Sequence, residues 1–169
     1  MRRTLPAGYF ITFSCYGARL HGHEEFSIDR HHRAFRQPPR PTEIELETYE
    51  RNLMHGMPFL LGKAERDIVL KSIVETCRFR GWQLFAVHVR TNHVHLVAAS
   101  ENPPEKMMAD CKAYATRALH QAGVDRDRKK WTRHGSTHYL WDAKAIDMAV
   151  SYVLAVQGEP MAVYDGREE

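Results

Sequence analysis

The chain has few cysteines, no long apolar run and little net charge, and the first two of these shortages each exclude a class of protein. The three cysteines, Cys15, Cys77 and Cys111, are odd in number and widely spaced, which excludes a disulfide framework and a CxxC metal motif. Buried, reduced thiols in a cytoplasmic protein are the expectation. The apolar run at 9–15 is far shorter than the ~20 residues that span a bilayer. Because Thr and Ser interrupt this run, it predicts a strand and not a signal peptide, and we expect no membrane partner.

The composition is that of an ordinary globular protein. Of the 169 residues, 43% are hydrophobic and 27% are charged, which excludes disorder, collagen and coiled coil as the main class. The length predicts a single domain over residues 1–169. Lys and Arg number 24 and Asp and Glu number 21, so the net charge of +3 permits a nucleic-acid partner without requiring one. Histidine is the unusual excess, at 11, because imidazole is the commonest protein ligand for metals.

Hydrophobic periodicity divides the chain into seven regular elements in the order β-α-β-β-α-β-α. The predicted strands cover 9–16, 82–90, 93–99 and 136–141, and the predicted helices cover 63–80, 103–122 and 143–157. An irregular segment at about 19–58 contains a Pro-rich stretch and a short predicted helix at 44–53. We expect this segment to be an insertion, of unknown role, in the single domain.

Three sequence signals mark the ends of the predicted helices. Gly81 is a natural C-terminal stop for the first helix. For the second helix, Asn102 is the predicted cap, Pro103 the first helical residue and Glu105 the partner in a capping box. Asp142 is the predicted cap of the last helix.

The order of the first six elements predicts the fold. It matches the split βαβ, ferredoxin-like arrangement, an α+β fold in which two helices cover one face of an antiparallel sheet. The last helix is the expected cover for the other face, and a partner subunit or a ligand is the alternative.

Two histidines on one predicted strand form the sharpest local pattern. Residues two apart on a strand point to the same side, so His93 and His95 project together while Val94 and Leu96 point to the apolar side. Two adjacent imidazoles can bind a divalent metal and leave positions open for a phosphate oxygen. His88, on the preceding strand, is a candidate to support the pair. Two half-exposed surface histidines are the alternative interpretation.

Chemistry on a phosphodiester also needs a nucleophile, and two helical tyrosines compete for that role. Tyr114 lies at the edge of the apolar stripe of its helix, so it is expected to be structural or close to DNA. Tyr152 lies well off the stripe that Ile146, Val150 and Val153 define, so it is the preferred candidate. The alternative is a partly exposed packing tyrosine.

The block Asn92-His93-Val94-His95-Leu96 resembles the HUH motif of the single-tyrosine transposases, the insertion-sequence 200/605 family and its REP-associated relatives. Those proteins follow a Leu-Trp strand end with a last helix that carries a Tyr and then an Asn or Gln. Here Leu140-Trp141 precedes Tyr152 and Gln157. The early aromatic strand and the second helix, which carries Lys112 and Arg117, are also similar, so the resemblance covers roughly residues 8–20 and 60–160.

The resemblance implies a metal-dependent transposase that nicks and joins single-stranded DNA containing a hairpin. It implies that His93, His95 and Gln157 bind Mg²⁺ or Mn²⁺. It also implies that Tyr152 attacks the scissile phosphate and becomes joined to the 5′ end, leaving a free 3′-OH. Such proteins are cytoplasmic and associated with the nucleoid. Both monomers and homodimers that exchange the last helix occur among them.

Gln157 departs from the family spacing. The amide residue usually follows the tyrosine at i+4, about 40° around the helix, whereas Gln157 follows Tyr152 at i+5, about 140° around. A bulge in the helix, an early helix end that frees Gln157, or a different third ligand would each resolve this difference.

Positive charge is concentrated after the second predicted helix. Between 111 and 134, seven cations face only Asp125 and Asp127, a local excess of seven minus two, or +5. The cations are Lys112, Arg117, Arg126, Arg128, Lys129, Lys130 and Arg133. Because Tyr114 and Trp131 are interleaved with them, we expect this segment to stack on and bind single-stranded DNA, with Arg2, Arg3 and Arg19 as further contacts. A solvated loop is the alternative.

Three other functions remain open at this level. A domesticated hairpin-DNA-binding protein would keep the fold without transposition, and the spacing of Gln157 favours it. A rolling-circle-type nickase would share the histidine and tyrosine chemistry. A ferredoxin-like RNA-binding domain would need exposed aromatic residues on the sheet face where His93 and His95 are expected.

Overall fold

A computed structural model describes residues 5–17 and 58–168 of the protein. Residues 19–57 of the predicted insertion, with its predicted helix, and the cations Arg2, Arg3 and Arg19 lie outside the described residues. The regular elements are β1 (Gly8–Cys15), α1 (Lys63–Arg80), β2 (Gln83–Val89), β3 (His93–Ala99), α2 (Pro104–Gln121), β4 (Trp131–Leu140), α3 (Ala143–Ala155) and β5 (Ala162–Asp165). Within the described part of the chain, no helix combines the length and the apolar character that crossing a bilayer requires.

The strands form one antiparallel sheet in the order β4-β1-β3-β2-β5. The first four strands in this order have the split βαβ topology, so the predicted α+β, ferredoxin-like class is confirmed. β3 is central, with β1 and β2 as its neighbours. Side chains on β3 are therefore enclosed by strands on both sides and by whatever covers the two faces.

A helical layer covers each face of the sheet. α1 and α2 pack on one face over the larger core, which includes Phe13, Leu96 and Leu119. α3 packs on the other face over a smaller core, which includes Val97 and Val150. The last helix is thus the cover that the sequence predicts for the second face.

The helix ends agree with the sequence in two of three cases. α1 spans the predicted 63–80, and Gly81 ends it in the left-handed conformation, with φ of 69°. The Asp142 side chain caps α3 by accepting a hydrogen bond from the Ala145 N–H at 2.7 Å. The predicted Asn102 cap is wrong, because α2 begins at Pro104 and the Asn102 side-chain Oδ1 instead accepts a hydrogen bond from the Trp82 indole N–H at 3.3 Å.

Two strands differ from the prediction. β4 begins at Trp131 and not at 136, because the polar residues after Trp131 pair with β1 across a register shift between Phe13 and Cys15. β5 is absent from the prediction, since it has only four residues and follows the turn after α3. It pairs with β2 and so extends the sheet on that side.

The Asp142 cap can be tested by substitution. Asp142→Ala removes an acceptor for the first turn of α3 and should lower the free energy of unfolding by about 1 kcal/mol. Asp142→Asn keeps a capping oxygen and should stay close to wild type. Urea unfolding of the three proteins measures this, and an equal loss in both variants would contradict the capping role.

Candidate active site

β3 carries its two histidines toward α3. Val94 and Leu96 belong to the core under α1 and α2, so the two-residue period turns His93 and His95 to the opposite face. The ring centres of His93 and His95 are 4.7 Å apart, and the rings are inclined at 74°. Both side chains are buried, with exposed fractions of 1% and 4%. The sequence prediction that they lie side by side is therefore correct.

Each imidazole is held through its Nδ1 atom. The His93 Nδ1 lies 2.6 Å from the Asn92 Oδ1, and because an amide oxygen only accepts, the proton of that bond belongs to Nδ1. The His95 Nδ1 and the Thr12 hydroxyl are hydrogen-bonded at 2.7 Å. Phe10 stacks on the His95 ring with centres 5.5 Å apart. This arrangement is the one in which Nε2 serves as a metal ligand and the second ring nitrogen is oriented by a neighbour.

α3 places Tyr152 beside this pair. The centre of the Tyr152 ring lies 6.1 Å from that of His95 and 5.8 Å from that of Phe10. The sequence locates Tyr152 off the apolar stripe of its helix. The ring is half-buried at the edge of that stripe, where it contacts the aromatic part of the histidine site.

Gln157 lies beyond the end of α3. The helix ends at Ala155, Val156 is its C-cap and Gly158 has a φ of 76°, so Gln157 is in the turn that follows. Of the three explanations for its spacing, this position corresponds to an early helix end. The Arg90 guanidinium donates to the Glu159 carbonyl at 3.1 Å, which fixes this turn beside the end of β2. A ligand role for Gln157 stays a prediction.

His93 and His95 provide only part of the ligand set that a divalent metal needs. Among residues 5–17 and 58–168, no group of three or more His, Cys, Asp or Glu side chains is arranged to hold a metal ion. His93 and His95 would supply two imidazole nitrogens, and the oxygen ligands that Mg²⁺ and Mn²⁺ prefer would come from an amide such as Gln157, from water or from the substrate. Such an incomplete protein set leaves room for a phosphate.

His88 anchors α3 to the sheet and does not bond to the histidine pair. Its ring is fully buried opposite His95 in the β2–β3 pairing. Its Nε2 accepts a bond from the Met161 N–H at 3.1 Å, so its Nδ1–H donates to the Val153 carbonyl, also at 3.1 Å. Burial lowers the pKa of His88, which favours this neutral form. His88 thus holds the backbone next to Tyr152.

Because His88 joins α3 to the sheet, its replacement should lower the stability of the protein. His88→Leu leaves the buried Val153 carbonyl without its donor and should cost about 1–3 kcal/mol of unfolding free energy for that group alone. His88→Asn can keep a donor near the Nδ1 position and should recover part of the loss. Chemical denaturation compares them with His134→Leu, an exposed histidine on β4 whose replacement should have little effect. A fully stable His88→Leu protein would contradict the anchoring role.

Three of the residues predicted to contact DNA have contacts within the fold. Trp131 is only 7% exposed, because it packs edge-on against Phe13 and its indole N–H donates to the Thr116 hydroxyl. Lys130 is buried, and its ammonium group donates to the Asp125 and Arg128 carbonyls. The Lys112 ammonium group donates to the Thr132 and His134 carbonyls at 2.8 and 3.1 Å. These contacts account for the three side chains within the fold, and their role in binding DNA stays a prediction.

The other predicted contacts lie on the surface. Arg126, Lys129 and Arg133 are exposed. The exposed Arg128 donates to the Pro58 carbonyl at 2.7 Å. Tyr114 and Arg117 lie on α2, so the sheet separates them from the histidine pair, which faces α3. The structure thus unites His93, His95 and Tyr152 and leaves Tyr114 elsewhere.

Residues on β1 and β4 complete the face under α3 and were absent from the predicted site. Thr12 bonds to His95, and Phe10 stacks on His95 on one side and on His138 at 6.1 Å. The Ser136 hydroxyl is hydrogen-bonded to the His138 Nε2 at 3.0 Å. The alternation of aromatic and polar residues in 10–14 carries a signal for Thr12, but the register of β4 is set by pairing that the sequence does not reveal.

The lowered pKa of Lys112 predicts that the stability of the protein depends on pH. Burial, and then the charge of Lys129, lowers the pKa of Lys112 from 10.5 to about 8. Between these values the unfolded chain binds more protons than the folded one, so stability rises with pH. The free energy of unfolding of wild type minus that of Lys112→Met should therefore increase from pH 8 to pH 10. A difference between wild type and Lys112→Met that does not change over this pH range would contradict the lowered pKa.

Comparison with known proteins finds a likeness in structure and none in sequence. No protein-family model and no curated protein sequence matches the chain. A solved structure, that of a REP-associated tyrosine transposase bound to a REP hairpin, is similar over 91% of this chain and 68% of that chain. The sequence identity is 14% and the TM-score is 0.47.

Proposed function

We propose that the protein nicks and rejoins single-stranded DNA through Tyr152, with Mg²⁺ or Mn²⁺ held by His93 and His95. The observation that carries this proposal is the convergence of a tyrosine from α3 on two adjacent imidazoles from β3, with 6.1 Å between the ring centres of Tyr152 and His95. Tyr152 follows His95 by 57 positions and His93 by 59, so only the fold brings it to the histidine pair. The DNA is proposed to contain a hairpin, as the sequence resemblance implies, and the enzyme to act as a transposase.

The proposed step exchanges one phosphodiester for another. The Tyr152 oxygen forms a bond to phosphorus while the bond from phosphorus to the 3′ oxygen breaks. The leaving oxygen keeps the electron pair, and the phenolic proton is balanced by the proton of the new 3′-OH. A divalent metal held by His93 and His95 would act as a Lewis acid and stabilise negative charge on the phosphate and on the leaving oxygen. Because no water is consumed, the reverse step restores the DNA strand.

The chain's own residues orient the site. Asn92 and Thr12 fix the two imidazole planes, so the Nε2 atoms are in place before a phosphate arrives. Phe10 contacts both His95 and Tyr152, which limits the positions that the phenol ring can take. His88 holds the Val153 carbonyl and with it the backbone that carries Tyr152. Prepositioning of this kind lowers the entropic cost of reaching the transition state.

One observation favours a second function, a hairpin-DNA-binding protein that does not cut. Gln157, which the resemblance implies as the third ligand, follows Tyr152 by five residues and not by the usual four, and it lies in the turn after α3. A protein that only binds DNA would keep the fold while losing part of the metal set. The two functions differ in one product, the covalent protein–DNA adduct.

The adduct assay tests the proposed chemistry. A hairpin oligonucleotide with a single-stranded flank carries its label at the 3′ end, because Tyr152 would remain joined to the 5′ phosphate of the downstream fragment. In Mn²⁺ the wild type should form a labelled adduct on a denaturing gel, and EDTA should abolish it. Tyr152→Phe should lower the yield at least ~1,000-fold, since it removes the nucleophile. Tyr114→Phe is the matched control and should retain the adduct.

Each other outcome has a distinct meaning. An adduct that survives in Tyr152→Phe, or that disappears only in Tyr114→Phe, would contradict the assignment of the nucleophile. Hairpin binding without any adduct would support the binding protein. His93→Ala and His95→Ala should each lose the adduct while DNA binding persists.

A further inference from the structure

The surface of α1 and α2 carries four side chains that alternate between an aromatic ring and a guanidinium. The Arg80 Cζ lies 5.8 Å from the centre of the Phe79 ring and 5.9 Å from that of Tyr114. The Arg117 Cζ lies 5.1 Å from the same Tyr114 ring. We call Phe79, Arg80, Tyr114 and Arg117 the aromatic–arginine ladder. Rings and cations at these separations attract one another, so the ladder is an ordered surface.

Phe79 at one end of the ladder faces solvent. Its side chain is 77% exposed, which is unusual for a phenylalanine beside a packed helix pair. A groove of about 250 Å³ adjoins it, lined by Thr76, Tyr114 and Arg117 among others. This volume is below the ~300–1,000 Å³ of sites that enclose a small molecule. The groove therefore suits a flat group that lies on the surface.

The charge of this surface favours an anionic partner. Asp110 is paired with both Arg80 and Lys106 at 3.1 Å. Glu75, at the groove, is 3.8 Å from Lys71. Because each carboxylate already has a lysine partner, the arginines of the ladder add positive charge to the surface.

We propose that the ladder binds single-stranded nucleic acid, with a base stacked on Phe79 and the backbone phosphates contacting Arg80 and Arg117. Stacking on an exposed ring accepts any base, and guanidinium groups held on rings have little freedom left to lose on binding a phosphate. The ladder lies on the α1–α2 side of the sheet, whereas His93, His95 and Tyr152 lie on the α3 side. It is thus a second surface, and it does not depend on the proposed nicking chemistry.

Fluorescence anisotropy tests the ladder with a labelled oligothymidylate of about 12 nucleotides, which fits the site size of such surfaces. All proteins carry Tyr152→Phe, so no covalent product can form through that residue. Phe79→Ala should weaken binding about tenfold, the loss of one stacked base. Arg117→Gln should weaken it as well and reduce the slope of log affinity against log salt by about 0.7, the value for one phosphate contact on a single strand.

Lys63→Gln is the matched control, because it removes one exposed positive charge at the far end of α1 and should leave the affinity unchanged. An oligonucleotide containing 5-iododeoxyuridine supplies the location, since irradiation should crosslink it to the peptides that carry Phe79 or Tyr114. Equal affinities for Phe79→Ala and Lys63→Gln would overturn the proposal, as would a wild type that does not bind or a crosslink confined to the α3 side. A self-association that Phe79→Ala abolishes, with oligonucleotide affinity unchanged, would instead identify a second copy of the chain as the partner.

Discussion

The burial of two imidazoles on the central strand is the constraint on which the site depends. β3 has a strand on each side and a helical layer on each face, so His93 and His95 are removed from water. A buried polar group without a hydrogen bond costs stability. Here Asn92, next to His93 in the sequence, and Thr12 on the adjacent strand β1 are the hydrogen-bond partners. The same bonds orient both rings toward one region under α3. The hydrogen bonds that allow the two imidazoles to be buried therefore also fix the orientation of their rings.

α3 both covers the face of the sheet that carries the two histidines and places Tyr152 beside them. Ala149, Val150 and Val153 bury its apolar side against the sheet, and the edge of that side carries Tyr152 over His95. The helix is fixed at its start by the Asp142 cap and near its end by the bond from His88 to the Val153 carbonyl. A change at either anchor therefore acts on the position of Tyr152 through the backbone.

The basic residues at 112–133 form one group in the sequence, but in the folded protein some of their side chains are buried and others are exposed. Lys112 and Lys130 turn their ammonium groups to backbone carbonyls, and Trp131 joins β4 to α2 in the core. Hydrogen bonding and apolar burial decide these positions, and neither can be read from the spacing of cations along the chain. The aromatic–arginine ladder is the reverse case, because residues far apart in the sequence come together. Phe79 and Arg80 are on α1, whereas Tyr114 and Arg117 are on α2.

The sequence by itself determined the element order, the α+β class, the bounds of α1 and β3, and the orientation of His93 and His95 to one side. These follow from local periodicity, which acts within a few residues. Only the tertiary structure decided that Tyr152 lies beside His95, that His88 supports α3 and not the pair, and that β5 completes the sheet. The physical reason is that helix docking and strand register depend on contacts between residues far apart in the chain, where burial and hydrogen-bond satisfaction select one arrangement.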